Sequence, residues 1–599
     1  MNKEDREYSA VSGRKRSVVS IAQILFVVIV APILVGIFLG GYPCQWWGIL
    51  CLKGDTGGDP PPPTLPANAI EISFLSSDTK EAWIEAVTAD FNARQFKTSA
   101  GHPIVVRVTH GNSGGTQKAI LDGVEQPTIW SPGDQSWADG ANQVWQGLHN
   151  QPLITEPCTP TVYAPIGFGM WRPMAEALGW PDEPISWETI VSLAADPQGW
   201  ASYGHPEWGQ FKFGHTYPDY SNSGLLIMTA LAYDTLGQTN DLTVELVKSD
   251  PVVAAMRNVE LHTYHYGRQS KNLSNLMVIN GPSYLHAINI TEAEVLRANK
   301  ERAQEMVFPL VFIFPAKGTF WAEQPFCILN TDWVSDEQNE AARLYREFLL
   351  APEQQAQAMD YNLRPVIASI PLSATFSLVN GTDPSVTIDK VIALSSPSAE
   401  VAEAVKDVFH QTKKKATIVV VLDTSGSMKG AKIKEAIEST ADFVGRLERG
   451  DQIYVYSFNS TAALLHPSGQ AAEVKEELGQ NVLNLFAQGD TILYDAVCLA
   501  VEKADDLRVA DLADGEQRLY GVVVLSDGQD TQSDLTMNDM FNCLPSGEDV
   551  EGIKVYTIAY GSDADQDVLL QISNKTNGRM FDGDPDTIED IYVSISAEQ

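Results

Sequence analysis

The sequence predicts an α/β protein of several domains behind a single N-terminal transmembrane helix. An uncharged apolar run lies near the N-terminus, and from Ile70 short apolar strands alternate with amphipathic helical stretches; near residue 416 a second, fully apolar strand opens a separate strand, turn and helix series. A chain of 599 residues has room for more than one core. Asp plus Glu number 77 against 41 Lys plus Arg, a formal charge of −36. Such a surface repels nucleic acid, whose binding needs a basic footprint. Hydrophobic residues at 44% and charged residues at 20% are ordinary globular usage, so the acidity belongs to folded surfaces.

From Val18 to Leu39 the chain carries no charge, and at 1.5 Å per residue that run crosses a hydrocarbon core of roughly 30 Å. Arg14, Lys15 and Arg16 precede it and only Lys53 follows soon after. Residues 1–17 are therefore expected in the cytoplasm, 18–39 in the cell membrane as an uncleaved single-pass anchor, and the bulk of the chain outside. A cleaved signal peptide is the alternative, but its apolar region would run about 7–15 residues and end at small residues. Residues 40–68 read as a cysteine loop and a stalk, GDTGGDPPPPTLP, too rich in Gly and Pro to build a core. Six cysteines in an exported chain invite pairing. Keeping each pair inside one unit joins Cys44 to Cys51, Cys158 to Cys327 and Cys498 to Cys543, with buried free thiols as the alternative.

Folded structure resumes near Ala69. IEISFL (70–75) reads as a strand, followed by Ser76-Ser77-Asp78 and an amphipathic helix; PIVVRVTH (103–110) is a second strand, ending in Gly111-Asn112-Ser113-Gly114-Gly115-Thr116 before the helix QKAILDG; PTIW (127–130) is a third, ending at Ser131. Ligands of open α/β sheets bind beyond the carboxyl ends of the strands, near helix N-termini. EISFLSSDTKEAW, VTHGNSGGTQKAI, TPTVYAPIGFGMW, FKFGHTYPDYSNSGLL and YNLRPV, in this order, resemble the type II extracellular solute-binding proteins that feed ABC transporters and include molybdate-binding relatives. The resemblance covers roughly 69–390 and implies a bilobed type II periplasmic-binding-protein domain, with TVYAPIGFGMW and PFCIL as crossings between lobes. Cys158 and Cys327 would then meet near the hinge.

By this resemblance the cleft is lined by Ser76, Ser77, Asn112, Ser113, Gly114, Thr116 and Ser131, and from the second lobe by Ser221, Asn222, Ser223 and Gly224. These are mostly neutral donors, suited to a small polar or anionic solute. Ser, Thr and Asn are also the preferred helix caps anywhere. Trp130, Trp137, His215, Tyr217 and Tyr284 could instead give aromatic walls for an organic ligand.

Residues 391–415 read as a connector, a strand fragment and a helix ending in Lys413-Lys414-Lys415. ATIVVVLDTSGSMKGAKIKEAIESTADFVGRL then gives a buried strand, a polar turn and an amphipathic helix. Asp423-x-Ser425-x-Ser427, Thr491 in GDTILYDAV and Asp527 in LSDGQD resemble the von Willebrand factor A family, whose Rossmann-like domain carries a metal-ion-dependent adhesion site. The resemblance spans 416–597. It implies Mg²⁺ or another divalent cation held by Asp423, Ser425, Ser427, Thr491 and Asp527, with a position left for an acidic side chain of a partner protein. Two hydroxyls, a threonine and two carboxylates are the oxygen ligands a hard cation takes. The loop residues Asp530 and Thr531 carry no expected role.

No phosphate loop or HExxH motif occurs, and no enzyme activity is expected. The expected function is a tethered receptor that captures a small solute and engages a protein partner through its metal site. The alternative is an adhesion or assembly protein that uses the solute-binding fold only as a scaffold.

Overall fold

The computed structural model describes residues 68–547 and 552–584, together with 587, 588, 591, 592 and 595. The expected membrane anchor, the stalk and the Cys44–Cys51 pair lie outside the described residues. No described helix is long and apolar enough to cross a membrane.

The first lobe begins with β1 (Ile70–Ser77), α1 (Glu81–Arg94), β2 (Ile104–Gly111), α2 (Ser113–Leu121), β3 (Ile129–Ser131) and α3 (Gln135–His149). β1 pairs in parallel with β2 on one side and β3 on the other. α2 starts four residues before the QKAILDG stretch that the sequence marks as helical. The Asn112 side chain accepts the Gly115 N–H at 2.7 Å, and this cap extends the helix back through both glycines.

The chain then crosses. TVYAPIGFGMW is divided at Pro165: Val162–Tyr163 pairs with Arg364–Pro365, and β4 (Ile166–Trp171) enters the second sheet. Proline has no N–H to continue the ladder. The second lobe holds β4, β5 (Phe213–Thr216), α4 (Asn222–Leu236), β6 (Thr263–Gly267), β7 (Ala287–Thr291) and β8 (Leu310–Ile313), in the sheet order β8-β4-β7-β5-β6. The return strand, β9 (Pro325–Ile328), lies between β3 and Thr159–Pro160 in the first sheet. There a disulfide joins Cys158 to Cys327.

The segment read as a connector forms α5 (Ala399–Thr412), capped by Ser398. Its Val401, Ala402, Val405 and Val408 are buried in one cluster with Leu225, Leu226, Val252 and Met256 of the second lobe and Trp137 of the first. Only Lys413 and Lys414 separate α5 from β10 (Lys415–Asp423), the central strand of the last domain.

That domain adds α6 (Ala431–Arg446), β11 (Gln452–Phe458), α7 (Leu493–Ala513), β12 (Arg518–Ser526), β13 (Lys554–Tyr560), α8 (Gln566–Lys575) and β14 (Met580–Gly583). The strands β11-β10-β12-β13-β14 run parallel, and Ala462–Leu464 closes one edge antiparallel. Successive β10 side chains point to opposite faces. Ile418, Val420 and Leu422 pack with Phe443 and Val444 of α6, while Val419 and Val421 pack with Val497 and Ala500 of α7. Both faces are covered, which is why IVVVL is continuously apolar. Cys498 of α7 is disulfide-bonded to Cys543.

The amino ends of this sheet rest on the second lobe. His410 of α5 lies between Asp219 (Nε2 to Oδ2, 3.1 Å) and Glu448 (Nδ1 to Oε1, 2.8 Å), while Lys413 and Lys415 approach Glu448 at 3.3 and 3.6 Å. The Tyr217 hydroxyl donates to Glu448 at 3.3 Å, and Lys554 donates to the Tyr264 carbonyl. Burial disfavours charged His410, but hydrogen bonds and attraction from Asp219 and Glu448 outweigh it and raise its pKa to about 9. Burial likewise opposes charged Glu448, and His410, Lys413 and Lys415 together pull its pKa down to about 2.

A raised histidine stabilises fully below its unfolded value of 6.5 and loses that contribution as pH climbs through about 9. Glu448 contributes above its ordinary 4.5 and fails as pH drops through about 2. Thermal melts from pH 7 to about 9.5 should fall more steeply for the parent protein than for His410→Ala. Equal slopes would show that this contact does not stabilise the junction.

Candidate functional site

Two sites emerge, one in the cleft between the lobes and one at the carboxyl edge of the last sheet. The cleft encloses about 370 Å³. Asn112 and Ser113 border it from the first lobe, and Ser221, Asn222 and Ser223 from the second. Ser221 caps α4, and Asn222 Oδ1 accepts the Trp137 indole N–H at 3.0 Å across the lobes.

The other expected cleft residues are drawn away from the cavity. The Gly114 N–H donates to the Tyr220 carbonyl at 3.1 Å, and a Cβ there would lie 1.9 Å from the Asp219 carbonyl oxygen. Gly224 packs as closely on Thr216, with a Cβ position 2.2 Å from its carbonyl oxygen. Thr116 accepts the Trp130 indole N–H at 3.1 Å, and Ser76 donates to the neighbouring Ser77 carbonyl. Ser77 and Ser131 serve a residue that the sequence reading passed over. The buried Lys80 ammonium donates to Ser77 Oγ at 2.8 Å, the Ser131 carbonyl at 2.9 Å and Gln324 Oε1 at 3.2 Å. Two positions expected to offer donors to a solute thus act as acceptors for the buried Lys80 amino group. None of the five candidate aromatic residues borders the cavity. Trp130 and Trp137 spend their N–H groups inside the protein, His215 pairs with buried Glu260, Tyr217 lies at the domain junction and Tyr284 stacks on His265.

Charged side chains make up much of the cleft wall. Lys271 pairs with Glu81 at 3.2 Å, bridging the lobes, and Arg297 pairs with Glu294. Burial, reinforced by Glu294 and opposed by Lys80 and Lys271, raises the Asp78 carboxyl to about 6. Lys80 and Gln324 carry no sequence signal, because one sits where a helix is starting and the other in the crossing segment.

At the sheet edge, Asp423 ends β10 and Asp527 follows β12, the location of ligand sites in parallel α/β sheets. Asp423 and Asp527 are completely buried and Ser425 is 1% exposed, whereas Ser427 reaches solvent. Asp423 accepts the Ser425 N–H at 2.8 Å and the Ser526 hydroxyl at 2.7 Å. The Ser425 and Ser427 hydroxyl oxygens lie 2.9 Å apart, and Ser427 donates to Asp527 at 2.6 Å. Thr491 lies on a loop joined to this turn where the Gly426 N–H donates to the Gly489 carbonyl at 2.9 Å; its own N–H donates to Thr531 Oγ1 at 2.9 Å, and its carbonyl accepts the Thr531 N–H at 2.8 Å. Asp530 accepts N–H groups of Tyr494 and Ser533. Asp530 and Thr531, which carry no expected role, therefore hold the Thr491 loop.

Lys432, in the first turn of α6, pairs with the second oxygen of Asp527 at 2.7 Å. It sits five residues after Ser427, where the emerging helix turns back over the site. Lys432 thus pairs with one of the two buried carboxylates, and burial, with a contribution from Asp527, raises the Asp423 pKa. Convergent oxygens carrying excess buried negative charge fit a hard divalent cation. Among the described residues no cluster of three or more His, Cys, Asp or Glu side chains could hold a metal, so a cation here would depend on hydroxyls.

A bilobed α/β domain with a cleft between its lobes is thus joined to a parallel sheet whose carboxyl edge holds an acidic, hydroxyl-rich turn. Residues 86–384 match the bacterial extracellular solute-binding protein family and residues 417–592 the von Willebrand factor type A domain, so the chain is a fusion of these two kinds of domain. Inter-alpha-trypsin inhibitor heavy chain H4 of Sus scrofa is 25% identical over 184 residues, 30% of this chain and 20% of that protein. The chain thus spans about a fifth of that relative's length. The solved von Willebrand factor type A protein of Catenulispora acidiphila is 20% identical, with 31% of this chain and 43% of that one covered at a TM-score of 0.27. The periplasmic binding protein AfuA of Actinobacillus pleuropneumoniae, solved with fructose-6-phosphate, is 13% identical, with 57% and 97% covered at a TM-score of 0.38.

Desolvation holds the Lys80 pKa well below its ordinary 10.5. The unfolded chain therefore binds this proton more readily, and the folded state loses stability as pH is lowered from about 10 towards 7. Denaturation midpoints at the two pH values should show this loss in the parent and not in Lys80→Met. Parallel shifts in both proteins would exclude it.

Proposed function

We propose that the chain is a membrane-anchored extracellular receptor that encloses a small polar solute between its two lobes and engages an acidic group of a protein partner through a divalent cation. Asp423, Ser425, Ser427, Thr491 and Asp527 would hold the ion, and Mg²⁺ suits their all-oxygen chemistry. When bound, the cation supplies an attractive charge to a partner carboxylate. The chain's own groups do the rest. Ser526 and the Ser425 N–H orient Asp423, Thr531 fixes the Thr491 loop, and Lys432 balances Asp527. In the cleft, Asn112, Ser113, Ser221, Asn222 and Ser223 give the cavity a polar border, and Asp78 adds a charge for a solute to meet. Binding without covalent chemistry accounts for both sites.

The single observation that carries this reading is the convergence of two buried carboxylates and two hydroxyls at the sheet edge facing away from the solute-binding lobes. An extracellular setting is supported by the solute-binding family match and the two disulfides.

Titration calorimetry with Mg²⁺ tests it. Asp423→Ala should weaken binding at least about tenfold, because the remaining hydroxyls hold a strongly hydrated ion poorly. Lys432→Met should tighten it, since the ammonium competes for Asp527. Equal heats from the parent and Asp423→Ala would remove the metal site.

A further inference from the structure

Residues 217–223 face both domains at once. On the cleft side, Ser221, Asn222 and Ser223 border the cavity. The same segment makes close contacts with the first lobe: Tyr220 accepts the Gly114 N–H, Asn222 accepts the Trp137 indole, and the Asn222 side chain is 2.6 Å from where a Cβ on Gly133 would stand. Gly114 and Gly133 have no side chain to hold the lobes apart, so the segment seats only when the cleft is shut.

On its other side the segment meets the A-domain. Asp219, whose carbonyl touches Gly114, turns its carboxylate to His410, which pairs in turn with Glu448. Tyr217 packs edge-on against Phe409 at 4.8 Å between ring centres and donates to Glu448. Glu448 follows α6, and its N–H is held by Asp451, which also fixes the Ala416 N–H at the start of β10. A second connection runs through α5. Its Lys406 ammonium lies 4.6 Å from the Trp137 ring centre, and its Glu400 accepts from Gln143, so this helix touches the first lobe while its apolar face is buried in the second.

From these contacts we propose that Asp219 and His410 form a latch through which closure of the solute cleft fixes the A-domain on the second lobe. This rests on the solute-capture reading above. With the lobes shut, Tyr220 and Asn222 are pinned against Gly114 and Trp137, which holds Asp219 towards His410 and so ties Glu448 down. With the lobes apart the segment loses its first-lobe partners, Asp219 is no longer held in place, and the A-domain is left on its remaining contacts. The metal-site edge stands about 25 Å along β10 from this base, so a small change of tilt there displaces the site where a partner would bind. Coupling of this kind must be reciprocal: weakening the A-domain contact should also loosen the cleft.

Distance measurements between paired spin labels on the full chain test the latch without a known solute. One pair, at Val124→Cys and Ile279→Cys, spans the cleft; a second, at Ile279→Cys and Phe486→Cys, spans the junction, all three positions being exposed. Gly114→Val props the cleft open sterically, and His410→Ala and Asp219→Asn each break the latch. Gly114→Val should lengthen the cleft distance by more than about 2 Å and broaden the junction distribution. His410→Ala and Asp219→Asn should each broaden the junction distribution and lengthen the cleft distance, and combining the two should add nothing. If each perturbation alters only its own pair, or Gly114→Val leaves the cleft distance unchanged, the latch is overturned. An unchanged cleft distance in Gly114→Val removes the closure on which solute capture depends, whereas a lengthened cleft distance with an unaltered junction distribution removes the latch alone.

Discussion

The arrangement of the molecule depends on one covalent constraint, the passage from α5 to β10 across Lys413 and Lys414 alone. α5 is committed to the solute-binding core by Val401, Val405 and Val408, and β10 is committed to the A-domain by a parallel partner on each side. A junction that short leaves the strand little freedom of direction once the helix is packed. The ion pairs around Glu448 then act on a contact that the backbone has already brought together. Isolated surface pairs contribute little, whereas a cluster of one carboxylate, one histidine and two lysines at a partly buried seam can hold two domains in register.

The formal charge of −36 gives the metal-site edge its physical sense. Two acidic proteins repel at long range, and a localised cation would supply an attractive point in that field. Lys432 already places one positive charge against Asp527. That ammonium offsets the buried charge of Asp527, while burial raises the pKa of Asp423 beside it.

How far the sequence could be read follows from the reach of each signal. β10 was legible because a strand covered on both faces is apolar at every position, and Asp423, Ser425 and Ser427 because their spacing is local. Thr491 and Asp527 lie far away in sequence, yet each falls in a short motif of its own. The cleft was less legible. Its sides are set by where the two lobes meet, and nothing near Ser77 indicates that Lys80 will fold back on it or that Gln324, 244 residues on, will complete the same cluster. The start of α2 was misjudged because two glycines argue against a helix, while the Asn112 cap and the close approach of Asp219 require them. Residues 391–415 looked like a linker because a single amphipathic helix does not reveal whose core it enters.

That helix also bears on how such a chain could have arisen. A gene fusion that simply appended one finished module to another would leave a seam where each half keeps its own hydrophobic face covered. Here the border helix contributes its apolar side chains to the bilobed half and its backbone direction to the other. Exchanging the A-domain for another at residue 390 would uncover an apolar trench, and exchanging it at residue 415 would require a newcomer whose first strand leaves the helix at the same angle. The two halves are consequently expected to be inherited together, with recombination confined to points that carry α5 along with the lobes.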